Sequence, residues 1–178
     1  MNNNNLNIAF VGVGSNKGNR LENIKNALKF INDSDHSRIE STSSIYETLP
    51  LGEIEQTNFL NAVFKITTRL NSFELFDILK EIEKKLGRIK RENWGPREID
   101  LDILFYNDLI ISNEIITLPH KGIIYRDFVM IPLIEIEPEI VHPVFDKKLS
   151  EIILGIKSKN ILDIRAEQLF TEEKNIGI

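Results

Sequence analysis

Residues 98–106 read EIDLDILFY, and their alternation decides how the rest of the chain is read. Ile99, Leu101, Ile103 and Phe105 fall on one face of an extended chain, and Asp100 and Asp102 fall on the other. Period two with one wholly apolar face is the pattern of a β-strand laid on a core. Two carboxylates at i and i+2 point the same way, with Cα atoms about 7 Å apart at a rise of ~3.3 Å per residue. Such a pair suits a hard cation, because Mg²⁺ is held by one or two carboxylates together with substrate phosphates. A solvated strand face is the plainer explanation of the same pattern.

Working outward, residues 58–67 alternate in the same way: Leu60, Ala62, Phe64 and Ile66 share one face, and Phe59, Asn61, Val63 and Lys65 the other. Residues 7–14 form a short apolar run closed by glycine, a buried strand, followed by a Gly- and Asn-rich turn over residues 15–19. Residues 12–16 lack the spacing of a phosphate loop or a dinucleotide fingerprint and read as a strand-to-helix turn. Leu21, Ile24, Leu28 and Ile31 make one helical stripe. Leu75, Leu79, Ile82 and Leu86 make a second, over residues 72–86. That helix is opened by the capping box of Asn71 and Glu74 and stopped by Gly87. Residues 38–47 have strand composition, and residues 48–56 break into a loop.

The order is β-α-β-β-α-β, so the expected fold class is α+β: a ferredoxin-like antiparallel sheet with helices packed on one face. Asn107-Asp108 reads as a hairpin turn between Phe105 and Leu109. One short helix is expected from Asp127, interrupted or started by Pro132, and a second near residues 149–154. Residues 161–164, Ile-Leu-Asp-Ile, are either an added edge strand or an ordered arm. No repeat or low-complexity linker divides the chain, so one domain over residues 1–178 is expected.

Composition excludes more than it assigns. Lys and Arg total 22 against 27 for Asp and Glu, a net charge of −5, which argues against a generally basic nucleic-acid binder. The absence of cysteine excludes disulfides, thiolate metal sites and cysteine nucleophiles, and three histidines make a zinc site improbable. No apolar run reaches the ~18 residues of a membrane span, and the Asn-rich start is not a signal peptide. A cytoplasmic location is the simplest expectation.

The mean charge conceals a strong local excess. Lys84, Lys85, Arg88, Lys90, Arg91 and Arg97 crowd the segment before Asp100, opposed there only by Glu92. A basic Gly- and Pro-containing loop beside paired carboxylates is what phosphoryl transfer needs: metal bridging phosphate oxygens, and cations neutralising charge on the transferred group. A basic surface loop is the plainer alternative.

The stretch RIKRENWGPREIDLDIL, residues 88–104, resembles the motif of the 6-hydroxymethyl-7,8-dihydropterin pyrophosphokinase family of folate biosynthesis. Trp94-Gly95-Pro96-Arg97 followed by Asp100-Leu101-Asp102 is its most specific part. Gly14-Ser15-Asn16, YETLPLG at 46–52, NFLN at 58–61, LPH at 118–120, Arg126-Asp127-Phe128 and Pro132-Leu133 follow in order. The resemblance spans about residues 6–155 and leaves 156–178 as a tail of unknown role.

It implies a ferredoxin-like fold that uses ATP and two Mg²⁺ ions. The implied reaction is transfer of the terminal diphosphate of ATP to the pterin hydroxymethyl group, releasing AMP. Asp100 and Asp102 would be the metal ligands and, with Arg88 and Arg97 of a mobile loop, the catalytic residues. Glu83, Lys90, Trp94, Ile103, Thr117, His120, Lys121 and Arg126 match nucleotide positions. Thr48, Leu49, Leu51, Phe59, Asn61, Trp94, Asp100 and Phe128 match pterin positions. Partners would be these small molecules, with no nucleic acid, no membrane and a possible association with other folate-pathway enzymes. Lys90 stands where the family usually has a second loop arginine, Asn93 where it has a basic residue, Lys121 where an aromatic is frequent, and Phe59 where tyrosine is common.

Two other classes share this topology. RNA-binding modules carry stacking aromatics on a basic strand motif, whereas residues 98–106 present acid that repels phosphates in the absence of metal. A regulatory metabolite-binding domain has no use for a basic loop facing two carboxylates.

Overall fold

The computed structural model describes residues 6–52, 55–89, 95–157, 159–165 and 169. In chain order the first elements are β1 (Asn7–Ser15), α1 (Arg20–Asn32), β2 (Ser37–Thr42), β3 (Ile45–Thr48), β4 (Phe59–Thr68), α2 (Ser72–Lys85) and β5 (Asp100–Tyr106). They are followed by β6 (Ile111–Ser112), β7 (Thr117–Leu118), α3 (Asp127–Ile136), β8 (Val141–His142), β9 (Lys147–Lys148), α4 (Leu149–Ile152) and β10 (Ile161–Arg165).

The main sheet runs β5-β1-β4-β3-β10, and β2 pairs with β4 beyond β3; every pair is antiparallel. With β2 and β3 counted as one interrupted strand, this is the ferredoxin-like order. The sequence predicts one strand there; the break falls at Ser43, whose hydroxyl accepts the Val63 amide while its own amide donates to the Val63 carbonyl. The predicted capping box of α2 is present in both directions, and Gly87 follows its C-terminus at φ +83°. Residues 161–165 form the edge strand rather than an arm.

Helices α1 and α2 cover one face. Ile24, Leu28 and Ile31, with Leu75, Leu79 and Ile82, bury themselves on Ala9, Val11, Val13, Leu60, Phe64 and Ile66. Each such side chain contributes about 1.5–3 kcal/mol relative to an exposed one. On the opposite face, Phe10, Val63, Leu104 and Phe105 meet Met130 and Leu133 of α3 and Leu149 of α4. Phe10 and Phe105 pack edge to face with centroids 6.2 Å apart. This second core covers only one end of its face. The other end, where Gly12, Gly14, Asn61, Asp100 and Asp102 lie, opens into a cavity.

Two expectations need correction. Phe105 does not share the face of Ile103: the register with β1 shifts between Phe10 and Val11, leaving Leu104 as an extra residue, so Leu104 and Phe105 both join the second core. The Asn107-Asp108 turn exists, with Asn107 at φ +44°, but the chain does not return along β5. Instead, β6 pairs with β7 as a separate hairpin.

Candidate active site

The floor of the cavity is set by three adjacent strands. Gly14 of β1 lies between Asn61 of β4 and Asp100 of β5, and Gly12 lies between Val63 and Asp102. A Cβ on Gly14 would stand 2.8 Å from Asn61 Oδ1, and one on Gly12 would stand 3.3 Å from Leu104. The glycine pair therefore keeps the floor flat between the amide and the carboxylates. The turn reading of residues 12–16 missed this role, although two glycines at i and i+2 inside a strand already specify one bare strip on one face. The space above the floor, counted together with its opening to solvent, measures about 750 Å³.

One end of the cavity is charged. Arg88 Nη1 bonds Asp100 Oδ1 at 2.6 Å, and the Arg97 guanidinium donates to the other Asp100 oxygen. Arg88 also reaches Glu83 Oε1 at 2.5 Å. Glu83 is buried behind β5, where Oε1 accepts the Leu101 amide at 2.7 Å and the Lys80 ammonium at 2.7 Å. Lys80 in turn donates to the Leu101 carbonyl at 2.8 Å and stands 3.5 Å from Asp102 Oδ1. Burial pushes the Asp100 carboxyl up, but Arg97, Arg88 and Lys80 outweigh it and hold the group below the usual carboxylate range. For Glu83 burial wins, and its carboxyl lies above that range despite Lys80, the Leu101 amide and Arg88.

Arg97 is positioned by a hub that the motif residues Gly14-Ser15-Asn16 only hinted at. The buried Asn16 side chain accepts the Arg97 backbone amide at 2.8 Å through Oδ1, and the backbone amide of Asn16 donates to the Arg97 carbonyl at 3.1 Å. The same side chain donates to Gln56 and to the Thr57 carbonyl. Ser15 Oγ donates to the Glu98 carbonyl at 2.6 Å, as does Asn23 at 2.8 Å. The end of the loop leading into β5 is thus tied to the end of β1.

His120, after a cis Leu118–Pro119 peptide, lines the cavity near Asp102, its amide bonded to the Leu104 carbonyl at 2.9 Å. Burial pushes its imidazole below the usual value, and Arg126 adds to this against the pull of Asp102. Nδ1 accepts the Gly122 amide at 3.1 Å, so the neutral ring carries its proton on Nε2. Arg126 lines the cavity with its guanidinium laid against Gly122, where a Cβ would come within 2.9 Å.

The other end is largely apolar and carries the Asn61 amide. Thr48, Leu49, Leu51, Phe59, Asn61 and Phe128 line it. Asn61 Nδ2 donates to Thr48 Oγ1 at 2.7 Å, which fixes the amide's orientation and leaves Oδ1 and the second N–H toward the cavity.

The fold thus gathers Arg97, Asp100, Asp102, His120, Arg126 and all described residues matched to the pterin around one space, with Arg88 joined to them through Asp100. It does not bring Glu83, Ile103, Thr117 or Lys121 to the cavity wall. Glu83 lies behind β5, Ile103 is buried in the helix-side core, and Thr117 sits on β7 opposite Ser112. Lys121 lines an adjoining depression with Gly52, Tyr125 and Arg126. Lys90, Asn93 and Trp94 lie outside the described residues. Lys80, which sequence reasoning missed, sits on α2 one turn before Glu83.

Comparison with known proteins meets this geometry. The model of the family described as 7,8-dihydro-6-hydroxymethylpterin-pyrophosphokinase matches residues 10–138. The chain belongs to this family. It is 42% identical over 142 residues to the 2-amino-4-hydroxy-6-hydroxymethyldihydropteridine pyrophosphokinase of Aquifex aeolicus, covering 80% of this chain and 88% of that protein. The Haemophilus influenzae enzyme of the same name is 42% identical over 135 residues, covering 76% and 84% respectively. The folic acid synthesis protein fol1 of Schizosaccharomyces pombe is 39% identical over 154 residues, of which this chain spans only 21%. Among solved structures, the Plasmodium falciparum HPPK-DHPS A437G/K540E protein superposes with a TM-score of 0.67 at 17% identity, over 85% of this chain and 44% of that one. That likeness speaks to the fold. The pyrophosphokinase match stops at residue 138, so α4 and β10 lie beyond it.

Proposed function

We propose that this pyrophosphokinase transfers the terminal diphosphate of ATP to the hydroxymethyl oxygen of 6-hydroxymethyl-7,8-dihydropterin, with Mg²⁺ held by Asp100 and Asp102. The observation that carries this reading is the division of one cavity into a charged end and an apolar end bearing an oriented amide. A triphosphate suits the first end and a flat heteroaromatic the second.

The donor set fits magnesium. Asp100 and Asp102 offer hard oxygens from one strand face, and among the described residues no third Asp, Glu, His or Cys joins them in a cluster. That leaves the remaining positions to phosphate oxygens and water, as is usual for this ion. When bound, magnesium neutralises and aligns the phosphate oxygens between donor and acceptor.

The chain's own residues do the rest. The hydroxymethyl oxygen attacks the β-phosphorus, the bond between the α-phosphate's bridging oxygen and that phosphorus breaks, AMP leaves, and the hydroxyl proton passes to solvent. Arg88 and Arg97 exchange Asp100 for the transferring group, where planar guanidinium forks match phosphate oxygens. Arg126 and the Nε2–H of neutral His120 address the same polyanion. Asn61 and the backbone of residues 49–51 hydrogen-bond the pterin edge, and Phe59 and Phe128 present aromatic rings to its faces. One main sheet carries a core on each face, which supports reading residues 1–178 as one domain. Among the described residues no helix is long and apolar enough to cross a membrane.

The test is nucleotide chromatography of the purified protein incubated with ATP, Mg²⁺ and the pterin, with each omitted in turn. AMP that accumulates only in the complete mixture is the expected result. ADP as the product, or AMP independent of the pterin, contradicts the proposal.

A further inference from the structure

The C-terminal strand, outside the family match, is tied to the apolar end of the cavity through a buried carboxylate. Asp127 is 6% exposed and opens α3. Its Oδ1 accepts the Phe128 amide at 2.9 Å, and its Oδ2 accepts the amides of Asn160 at 2.7 Å and Ile161 at 3.2 Å. The Asn160 carbonyl then accepts the Leu49 amide at 2.9 Å, and Ile161 pairs with Thr48 in the sheet. Phe128 and Leu49 form opposite parts of the same cavity wall. A continuous path of hydrogen bonds therefore joins them: Phe128 amide, Asp127 carboxylate, Asn160 peptide, Leu49 amide. At its far end β10 is held by Arg165, whose Nη2 bonds Glu47 Oε2 at 2.9 Å.

We infer that Asp127 is a positioning residue for the pterin, acting through β10: it sets the separation between the Phe128 ring and the backbone of residues 49–51. Three backbone donors on one carboxylate are charge-assisted bonds, stronger than their neutral counterparts, and the helix N-terminus adds favourable potential. A buried carboxylate satisfied in this way is a rigid spacer. Of the nucleotide end only Arg126, one residue before Asp127 in the chain, adjoins it; Asp100, Asp102, Arg97 and His120 are placed by β5, Asn16 and the Leu104 carbonyl. Loss of the spacer should therefore act on one substrate and spare the other. This rests on the pyrophosphokinase reading of the apolar end.

The experiment measures dissociation constants of the full chain for 6-hydroxymethyl-7,8-dihydropterin and, separately, for a non-hydrolysable ATP analogue with Mg²⁺. It is run on wild type, Asp127→Asn and Arg165→Gln, with hydrogen exchange at residues 49–52 and 128 as an independent readout. In Asp127→Asn the amide nitrogen confronts backbone donors on one side. Pterin affinity should fall about tenfold, the size expected for one lost charge-assisted bond, while ATP-analogue affinity stays within about twofold and exchange at residues 49–52 quickens. Arg165→Gln, at a half-exposed side chain remote from the cavity, should weaken pterin binding about two- to threefold in the same selective way, and it carries the test if Asp127→Asn fails to fold. Equal weakening of both ligands, or unchanged pterin binding in both variants, overturns the inference. A wild-type chain that binds no pterin overturns the functional reading itself and this inference with it.

Discussion

The charged end of the cavity rests on a short stretch of chain, residues 80–102, joined in the wall by His120 and Arg126; within that stretch Lys80, Glu83, Arg88, Arg97, Asp100 and Asp102 form one connected set of ion pairs. At its apolar end it is gathered from Thr48 and Leu49, Phe59 and Asn61, Phe128 and finally Asn160, joined by side-chain and backbone hydrogen bonds and by the Asp127 carboxylate. The charged end is paired with itself: on the proposed reading Asp100 would give up two guanidinium groups to hold the metal, and those groups would turn to phosphate. The apolar end is already in place, with the Asn61 amide oriented and the walls braced. The proposed function assigns electrostatic exchange to one substrate and preorganised shape to the other, so substitutions at the two ends should fail differently.

The largest effect is expected at the charged end. Asp102→Ala removes one of the two carboxylates proposed to hold the metal, and turnover should fall by about two to three orders of magnitude. Circular dichroism and the melting profile should stay native, because the side chain is 39% exposed and bonds no core group. Turnover near wild type would break the assignment of that end. Next, Gly14→Ala places a methyl group 2.8 Å from Asn61 Oδ1. Overpacking of this kind costs about 1–3 kcal/mol, and it should appear as a pterin KM raised about tenfold with the ATP KM nearly unchanged. A rise in both would erase the distinction between the ends.

Glu83→Gln sharpens the comparison. The amide oxygen can still accept the Leu101 amide, and the buried charge is removed, so the melting temperature should move by no more than about 3 °C. Arg88 loses one of its two carboxylates, and kcat should drop several-fold with KM for the pterin unaffected. The smallest effect concerns pH. Arg97, Arg88 and Lys80 hold Asp100 below its ordinary range against the upward push of burial. Its stabilising contribution is therefore full above the unfolded carboxyl value of about 3.9 and is lost as pH falls through the lower folded value. Wild type should melt higher than Asp100→Asn near neutrality, and the two should converge under acid. A gap that widens on acidification would contradict the ion-pair account.

The same contrast explains what could be read without coordinates. The carboxylate pair, both long helices and the alternation of β4 announce themselves because each is local and periodic. The bulge at Leu104 does not: residues 103–106 are all apolar, so a reversal of faces there changes no visible pattern. In the sequence Lys80 carries no mark beyond being one polar residue of an amphipathic helix, and only the edge position of β5 turns it toward Asp102. The partnership of Asp127 with residues 160 and 161 joins segments with no spacing rule between them. Glu83 was drawn to the nucleotide by motif position alone, whereas its burial behind β5 gives it the task of holding Arg88 and Lys80.

The central claim is that a triphosphate at one end and a pterin at the other react across a single floor of two glycines. Phosphorus-31 magnetic resonance of the wild-type reaction with ATP, Mg²⁺ and the pterin tests it most directly. The account predicts that the β and γ phosphorus signals of ATP disappear together into a pterin diphosphate as the AMP signal grows in equal amount. Transfer of the γ phosphorus alone with ADP remaining, or loss of ATP signal without a phosphorylated pterin, would contradict it.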